Sequence, residues 1–149
     1  MKIKTILVAT DFSGPAQHAV DYAADLAQHF EAELILFHAY NIEIPIASPA
    51  MSGGYVLPDG FFEEISKQAR LQVESASKEL IARGVSATGI ARDEPAALAI
   101  IGEAKRREAD LIVMGTRGLT GLKHVALGSI ADKVVRMASC PVLTIGDHD

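Results

Sequence analysis

Residues 111–118 read LIVMGTRG, and after nine further residues the chain continues with Gly128-Ser129-Ile130. The interpretation of the fold starts from this stretch. The apolar residues at its start predict a buried β-strand, and Gly128-Ser129 opens a helical pattern. Glycines at a strand end let backbone amides approach an anion, and a following helix adds unpaired amides and the positive end of its dipole. A tight turn without a ligand would contain the same glycines. Their position between a strand and a helix favours anion binding over that alternative.

The rest of the sequence alternates short apolar runs with longer helical patterns. The near-continuous apolar runs are typical of strands covered on both faces, and they predict strands at Ile3–Ala9, Leu34–Ala39, Val85–Ala91, Leu111–Gly115 and Val142–Ile145. Helices are predicted after Ser13-Gly14-Pro15, over Asp59–Arg83 with Gly84 closing it, from Asp93-Glu94-Pro95, and from Gly128-Ser129. This alternation predicts one domain over residues 1–149, with a five-stranded, parallel, doubly wound sheet in a three-layer α/β/α arrangement. In such sheets ligands bind beyond the carboxyl ends of the strands.

Composition restricts the class of partner. The chain has 149 residues and a formal net charge of −5, so nucleic acid and anionic membrane surfaces are not expected as partners. The single cysteine, Cys140, fits a reducing compartment, and we interpret it as a buried residue rather than a redox centre. No stretch approaches the ~20 apolar residues of a membrane helix. We therefore expect a soluble, cytoplasmic protein.

One connection is unusually long. Residues 41–58 contain Pro45, Pro49 and Pro58, with Gly53-Gly54 between them. Connections longer than about 12–15 residues are usually functional lids or disordered segments, and both alternatives stay open for this one.

Three parts of the sequence together resemble a known family. Gly115, Gly118, Gly128 and Ser129 spell Gly-x2-Gly-x9-Gly-Ser, the opening reads ILVATDFS over residues 6–13, and the ending reads CPVL over residues 140–143. On these motifs the chain resembles the ATP-binding branch of the universal stress protein family, along its whole length. The resemblance implies an adenine nucleotide alpha hydrolase-like sheet with strand order 3-2-1-4-5, a homodimer, and ATP as the bound nucleotide.

The resemblance also implies which residues surround the nucleotide. Thr10 and Asp11 would lie beside it, the backbone at Ala39 would meet the adenine, and Met114 would line the base or ribose. The ribose and phosphates would be surrounded by Gly115, Gly118, Gly128, Ser129 and Ile130.

Two charged residues near the expected phosphates have alternative roles. Asp11 would face phosphates favourably only with a metal ion between them, so Mg²⁺ or Mn²⁺ is the expected companion. It would equally well bond the amides near Phe12–Gly14 at the start of the first helix, and both roles stay open. Arg117, like Lys123, would neutralise the outer phosphates, although a solvated loop charge is the alternative that we slightly favour.

Away from this loop, the basic triplet 105–107 ends the third predicted helix, where cations suit the helix C-terminus. At the other end of the chain, Val142–Ile145 is an apolar edge strand without the charges that usually protect an edge. We expect two copies to pair through it as a homodimer; in the alternative, residues 146–149 cover the edge and the chain stays monomeric.

The predicted function is a nucleotide-binding regulatory module of the stress response, acting on a protein partner that the sequence does not identify. The alternative is a slow ATP hydrolase or phosphotransferase that uses Asp11 and a divalent metal. No arginine finger or Ser/His/Asp set is identifiable, so we expect at most weak ATPase activity. The third hypothesis is a purely structural dimer that binds no nucleotide at the glycine loop, and the complete glycine signature argues against it.

Overall fold

Strands and helices alternate in a computed structural model of the chain, which describes residues 2–42, 57–118 and 127–146. In chain order the elements are β1 (Thr5–Ala9), α1 (Gly14–Phe30), β2 (Glu33–Tyr40), α2 (Phe61–Ala82), β3 (Ala87–Asp93), α3 (Ala96–Arg106), β4 (Leu111–Gly115), α4 (Ser129–Met137) and β5 (Val142–Ile145). The predicted long connection falls mostly outside the described residues, and Lys123 and residues 147–149 of the tail also lie outside them. No helix in the described part of the chain is both long and apolar enough to cross a membrane.

The five strands form one parallel sheet with the order β3-β2-β1-β4-β5, which confirms the predicted fold. Val8 of β1 is paired with Leu36 of β2 on one side and with Val113 of β4 on the other. The strand order therefore reverses between β1 and β4. At such a point the connections leave in opposite directions and open a crevice beyond the carboxyl ends of the strands.

The continuous apolar runs are explained by helices on both faces of the sheet. Ile6, Leu7 and Val8 of β1 are all completely buried. On one face, Ile6 and Val8 join a core cluster with residues of α1 and α2; on the other, Leu7 joins a cluster with residues of α3 and α4. Burial of both faces removes the need for alternation, because neither side of these strands meets water.

The predicted third strand, Val85–Ala91, is wrong by two residues at each end. Helix α2 ends in a Schellman motif, in which the amide of Gly84 donates to Ile81 O at 2.9 Å and that of Val85 to Leu80 O at 3.1 Å. Gly84 has φ +84°, as predicted for a residue that closes a helix. Val85 is buried because it completes this helix end, so its apolar side chain does not mark the start of the strand.

Candidate functional site

A cavity of about 290 Å³ opens at the carboxyl ends of β1 and β4, where the strand order reverses. All ten residues that the sequence analysis named as site residues line it: Thr10, Asp11, Ala39, Met114, Gly115, Arg117, Gly118, Gly128, Ser129 and Ile130. The sequence analysis did not assign the others to the site, namely Ala9, Ala16, Phe37, Ala96, Ile100, Thr116 and Ala131. Residues separated by more than a hundred positions in the chain thus meet around one space.

The glycines of the loop after β4 are required by the close approach of protein atoms. A Cβ at Gly115 would lie 3.1 Å from Arg117 O, and a Cβ at Gly128 would lie 3.1 Å from Thr116 O. The amide of Gly128 also donates to Thr116 O at 2.7 Å, which ties the start of α4 to the end of β4. Neither glycine has a positive φ, so close packing rather than an unusual backbone conformation explains them. Close packing of the loop is therefore a reason for glycine at both positions, beside the approach of backbone amides to an anion that the sequence predicts.

Asp11 lies against Gly118 and bonds the start of α1. Its Oδ1 accepts from the Ser13 amide at 3.0 Å and from the Ser13 hydroxyl. The Ser13 oxygen in turn accepts from the Ala16 amide at 3.3 Å, as the cap of α1. A Cβ at Gly118 would lie 2.8 Å from Asp11 Oδ2, so the carboxylate occupies the space beside that glycine. Asp11 thus has the local bonding role that the sequence analysis left open, and it still reaches the cavity wall.

The bend between β1 and α1 is held by one backbone bond and one side-chain bond from β2. The Thr10 amide donates to Phe37 O at 2.9 Å, and Thr10 O accepts from His38 Nδ1 at 2.9 Å. The carbonyl can only accept, so the proton of this bond is on Nδ1. Phe12 follows with φ +61°, a left-handed conformation that is unusual for a bulky residue, and its ring meets the His38 ring at 4.8 Å between centroids. The sequence analysis gave His38 no role, because only the β1–β2 pairing brings it beside residue 10.

A second part of the cavity lining carries hydrogen-bond donors. Helix α4 begins at Ser129 with no side-chain cap, so the amides of its first turn have no acceptor within the helix. Arg117 Nε is buried and has no hydrogen-bond partner among the residues that the structure describes. Unpaired helix amides, the positive end of the helix dipole and a buried guanidinium nitrogen together suit an anionic group.

A third part of the wall is apolar. Phe37 and Ala39 of β2, Ala96 and Ile100 of α3, and Met114 of β4 contribute it. Ala96 and Ile100 lie four residues apart, on one helical face. This spacing was available in the sequence, but nothing local distinguishes a cavity-lining alanine from a core alanine.

The cavity thus combines an apolar wall with a donor-rich wall, and an acidic side chain lies at its rim. Within residues 2–42, 57–118 and 127–146, no group of three or more His, Cys, Asp or Glu side chains could hold a metal ion by itself. Asp11 could contribute one oxygen ligand, and further ligands would have to come from a bound molecule or from water.

Comparison with known proteins identifies a family for this chain and several proteins that are similar to it. Residues 2–146 match the family model described as Universal stress protein family. Universal stress protein YxiE of Bacillus subtilis is 33% identical over 144 residues, covering 94% of this chain and 97% of that protein. The structure of hypothetical protein MJ0577 is similar with a TM-score of 0.82 at 27% identity, covering 100% of this chain and 99% of that one. That of a universal stress protein in complex with cAMP has a TM-score of 0.69 at 26% identity, covering 97% of this chain and 98% of the other.

Proposed function

This chain belongs to the universal stress protein family, and from that membership we propose that it is a regulatory module of the stress response that binds ATP with Mg²⁺ or Mn²⁺. The observation that carries the proposal is the single cavity at the β1/β4 switch point, where all ten residues named from the sequence meet. Doubly wound sheets bind their ligands at this position. We further propose that the protein is one domain and acts in the cytoplasm, which its single cysteine fits.

The two walls of the cavity suit the two halves of a nucleotide. The apolar wall around Ala39, Ile100 and Met114 fits a planar base, which gains by leaving water. The amides at the start of α4 and the Arg117 guanidinium fit phosphate oxygens. A solved structure of a similar universal stress protein contains cAMP, which supports an adenine nucleotide as the class of ligand. The choice of ATP rests on the resemblance of the glycine signature to the ATP-binding branch.

A divalent metal would be held by Asp11 together with phosphate oxygens and water. Mg²⁺ is typically bound by one or two carboxylates plus substrate phosphates, so one protein ligand is sufficient. When bound, the ion would neutralise charge between the carboxylate and the phosphates. The Ser13 amide and hydroxyl hold the Asp11 carboxylate in place for this role.

The nucleotide proposal is tested by calorimetry of ATP binding with Mg²⁺ present. We expect the wild type to bind more tightly than about 1 mM, and mass spectrometry to identify an adenine nucleotide that copurifies with it. Arg117→Met should weaken binding by about ten-fold or more, because a hydrogen bond to a charged group contributes ~1.5–3 kcal/mol. Arg70→Met is the matched control, since Arg70 is exposed on α2 and does not line the cavity. Affinity weaker than millimolar, or equal effects of the two variants, would refute the proposal.

We propose that regulation rather than catalysis is the role of this site. An efficient hydrolase needs a positioned base and charge stabilisation at the leaving group, and among the described residues that line the cavity Asp11 is the only candidate base. ATP turnover should be far below the median enzyme rate of about 10 s⁻¹. Several turnovers per second, abolished in Asp11→Asn, would favour the alternative of a slow hydrolase or phosphotransferase.

Strand β5 is the proposed homodimer interface. Among the described strands it pairs with β4 alone, and Leu143 on it is 37% exposed. A short apolar edge of this kind favours pairing with a second copy across a two-fold axis. Analytical ultracentrifugation at micromolar concentration should give a dimer, which Leu143→Pro should dissociate. A wild-type monomer, or a dimer that survives the substitution, would refute this interface.

A further inference from the structure

Helix α3 carries a buried carboxylate that is surrounded by three arginines. Glu103 is completely buried. Its Oε2 accepts from Arg106 Nη2 at 2.7 Å and Nε at 2.9 Å, and from Arg92 Nη2 at 3.3 Å. Its Oε1 accepts from Arg107 Nε at 3.1 Å. Arg106 and Arg107, which the sequence analysis assigned to the helix C-terminus alone, therefore turn back towards this carboxylate, and Arg92 reaches it from β3.

The cluster has an excess of positive charge. Burial raises the pKa of Glu103, but hydrogen bonds from Arg106 and Arg107 and the charge of Arg92 outweigh it, so the pKa lies below its usual value. The carboxylate is therefore ionised at neutral pH, and a guanidinium is always charged. Counted alone, these four side chains carry three positive charges and one negative charge, and Asp93, Glu94 and Glu108, which flank the arginines in the sequence, reduce the local excess.

The arginines keep donors for a second partner. Their side chains are 43%, 50% and 46% exposed for Arg92, Arg106 and Arg107, whereas that of Glu103 is 1% exposed. Arg107 uses only Nε towards Glu103, so both of its terminal amino groups remain available. Arg92 and Arg106 each use Nε and Nη2, which leaves their Nη1 groups. The buried carboxylate thus holds three guanidinium groups close together, which lowers the cost of ordering them for an external carboxylate.

The cluster would remain accessible to another protein if two copies of the chain pair through β5. Arg92 lies on β3, at the edge of the sheet opposite to β5, so pairing through β5 leaves it accessible. The cluster is also close to the cavity: Arg92 is the register partner of Ala39, and Glu103 lies one helical turn after Ile100. Both Ala39 and Ile100 line the cavity.

We propose that Arg92, Arg106 and Arg107 form a docking surface for an acidic, Asp- and Glu-rich segment of a protein partner. Guanidinium forks bind carboxylates in a bidentate manner, and several adjacent forks select several adjacent carboxylates. A long polyanion such as duplex DNA is disfavoured, because it would extend beyond the cluster over a negatively charged protein. The inference names the kind of partner that the proposed regulatory module would bind, and to that extent it rests on the proposed function.

Fluorescence anisotropy with a fluorescein-labelled hexaglutamate peptide tests the surface in nucleotide-free protein. We expect binding to the wild type at 50 mM salt, weakened at least ten-fold in Arg106→Gln/Arg107→Gln. The matched control, Lys67→Gln/Arg70→Gln, removes the same charge from exposed positions on α2 and should stay within two-fold of the wild type. Arg107→Gln alone breaks one bond to Glu103 and serves as the second variant if the double variant does not fold; it should lose at least three-fold.

No binding by the wild type, equal losses in the two double variants, or preferential binding of a duplex DNA of equal charge would overturn the proposal. The peptide titration contains no nucleotide, and ATP calorimetry on Arg106→Gln/Arg107→Gln should match the wild type. A failure of the peptide to bind therefore counts against the docking surface alone, whereas a failure of ATP to bind counts against the proposed nucleotide function.

Discussion

Gly89→Ala should destabilise the protein, although alanine normally suits an extended strand better than glycine. Gly89 lies in β3 where α2 crosses the sheet. A Cβ there would lie 2.7 Å from Val73 O and 3.1 Å from Val73 C, both of them backbone atoms of α2. Ordinary contact begins at about 3.4 Å, so helix and strand would have to separate by about 0.7 Å along this line.

The expected loss follows from two opposing contributions. Forcing one methyl group into a well-packed interface costs ~1–3 kcal/mol. Replacing glycine by alanine in a regular element returns ~0.5–1 kcal/mol of chain entropy. Because the 2.7 Å contact is with backbone atoms, the cost belongs in the upper half of its range, about 2–3 kcal/mol. The net loss is therefore about 1–2.5 kcal/mol, which for a chain of this size lowers the melting temperature by about 2–10 °C.

Thermal unfolding followed by circular dichroism measures this change, with urea titration as a second estimate of the free energy of unfolding. Gly14→Ala is the control: a Cβ at Gly14 meets nothing within 4 Å, so the variant should melt no lower than the wild type. If Gly89→Ala melts at or above the wild-type temperature, the reasoning from backbone contact between α2 and β3 is wrong.

Two further predictions concern the site and the pH dependence of stability. Gly118→Ala would place a Cβ 2.8 Å from Asp11 Oδ2 and displace the carboxylate; we expect the Mg²⁺-dependent part of ATP affinity to fall about ten-fold in calorimetry, and an unchanged Mg²⁺ dependence would contradict the role of Asp11. Asp110 accepts hydrogen bonds from the amides of Lys4 and Thr5, which hold its pKa below the usual value. Its stabilising contribution is therefore full above the unfolded pKa of about 3.9 and is lost as the pH falls through the lower folded pKa. Asp110→Asn should accordingly lower the melting temperature at pH 7 and do so much less at pH 2, and an equal effect at both values would refute this assignment.

The alternation of elements was predictable because its causes are local. A strand covered on both faces needs a continuous apolar run, such as ILVA at residues 6–9. The buried face of a helix is visible in the spacing of its apolar side chains. The strand order followed from the family resemblance rather than from these patterns. Nine of the ten site residues were likewise assigned by resemblance, and Arg117 by its charge inside the loop; they meet in one cavity because parallel strands bring their carboxyl ends to the same edge.

Other features of the protein depend on contacts between distant parts of the chain, so they could not be predicted from the sequence. In the sequence, Glu103 is an ordinary acidic residue of a helix. In the folded chain β3 brings Arg92 to it, and Glu103 is the centre of a charged cluster. For Gly128 the sequence suggests room for a ligand, and the folded loop adds a second reason for glycine, because a Cβ there would lie 3.1 Å from Thr116 O. Sequence patterns encode which face of an element is buried. The identity of the atom that meets each side chain is determined only when the sheet register and helix packing are established, because those contacts join residues that the chain itself keeps apart.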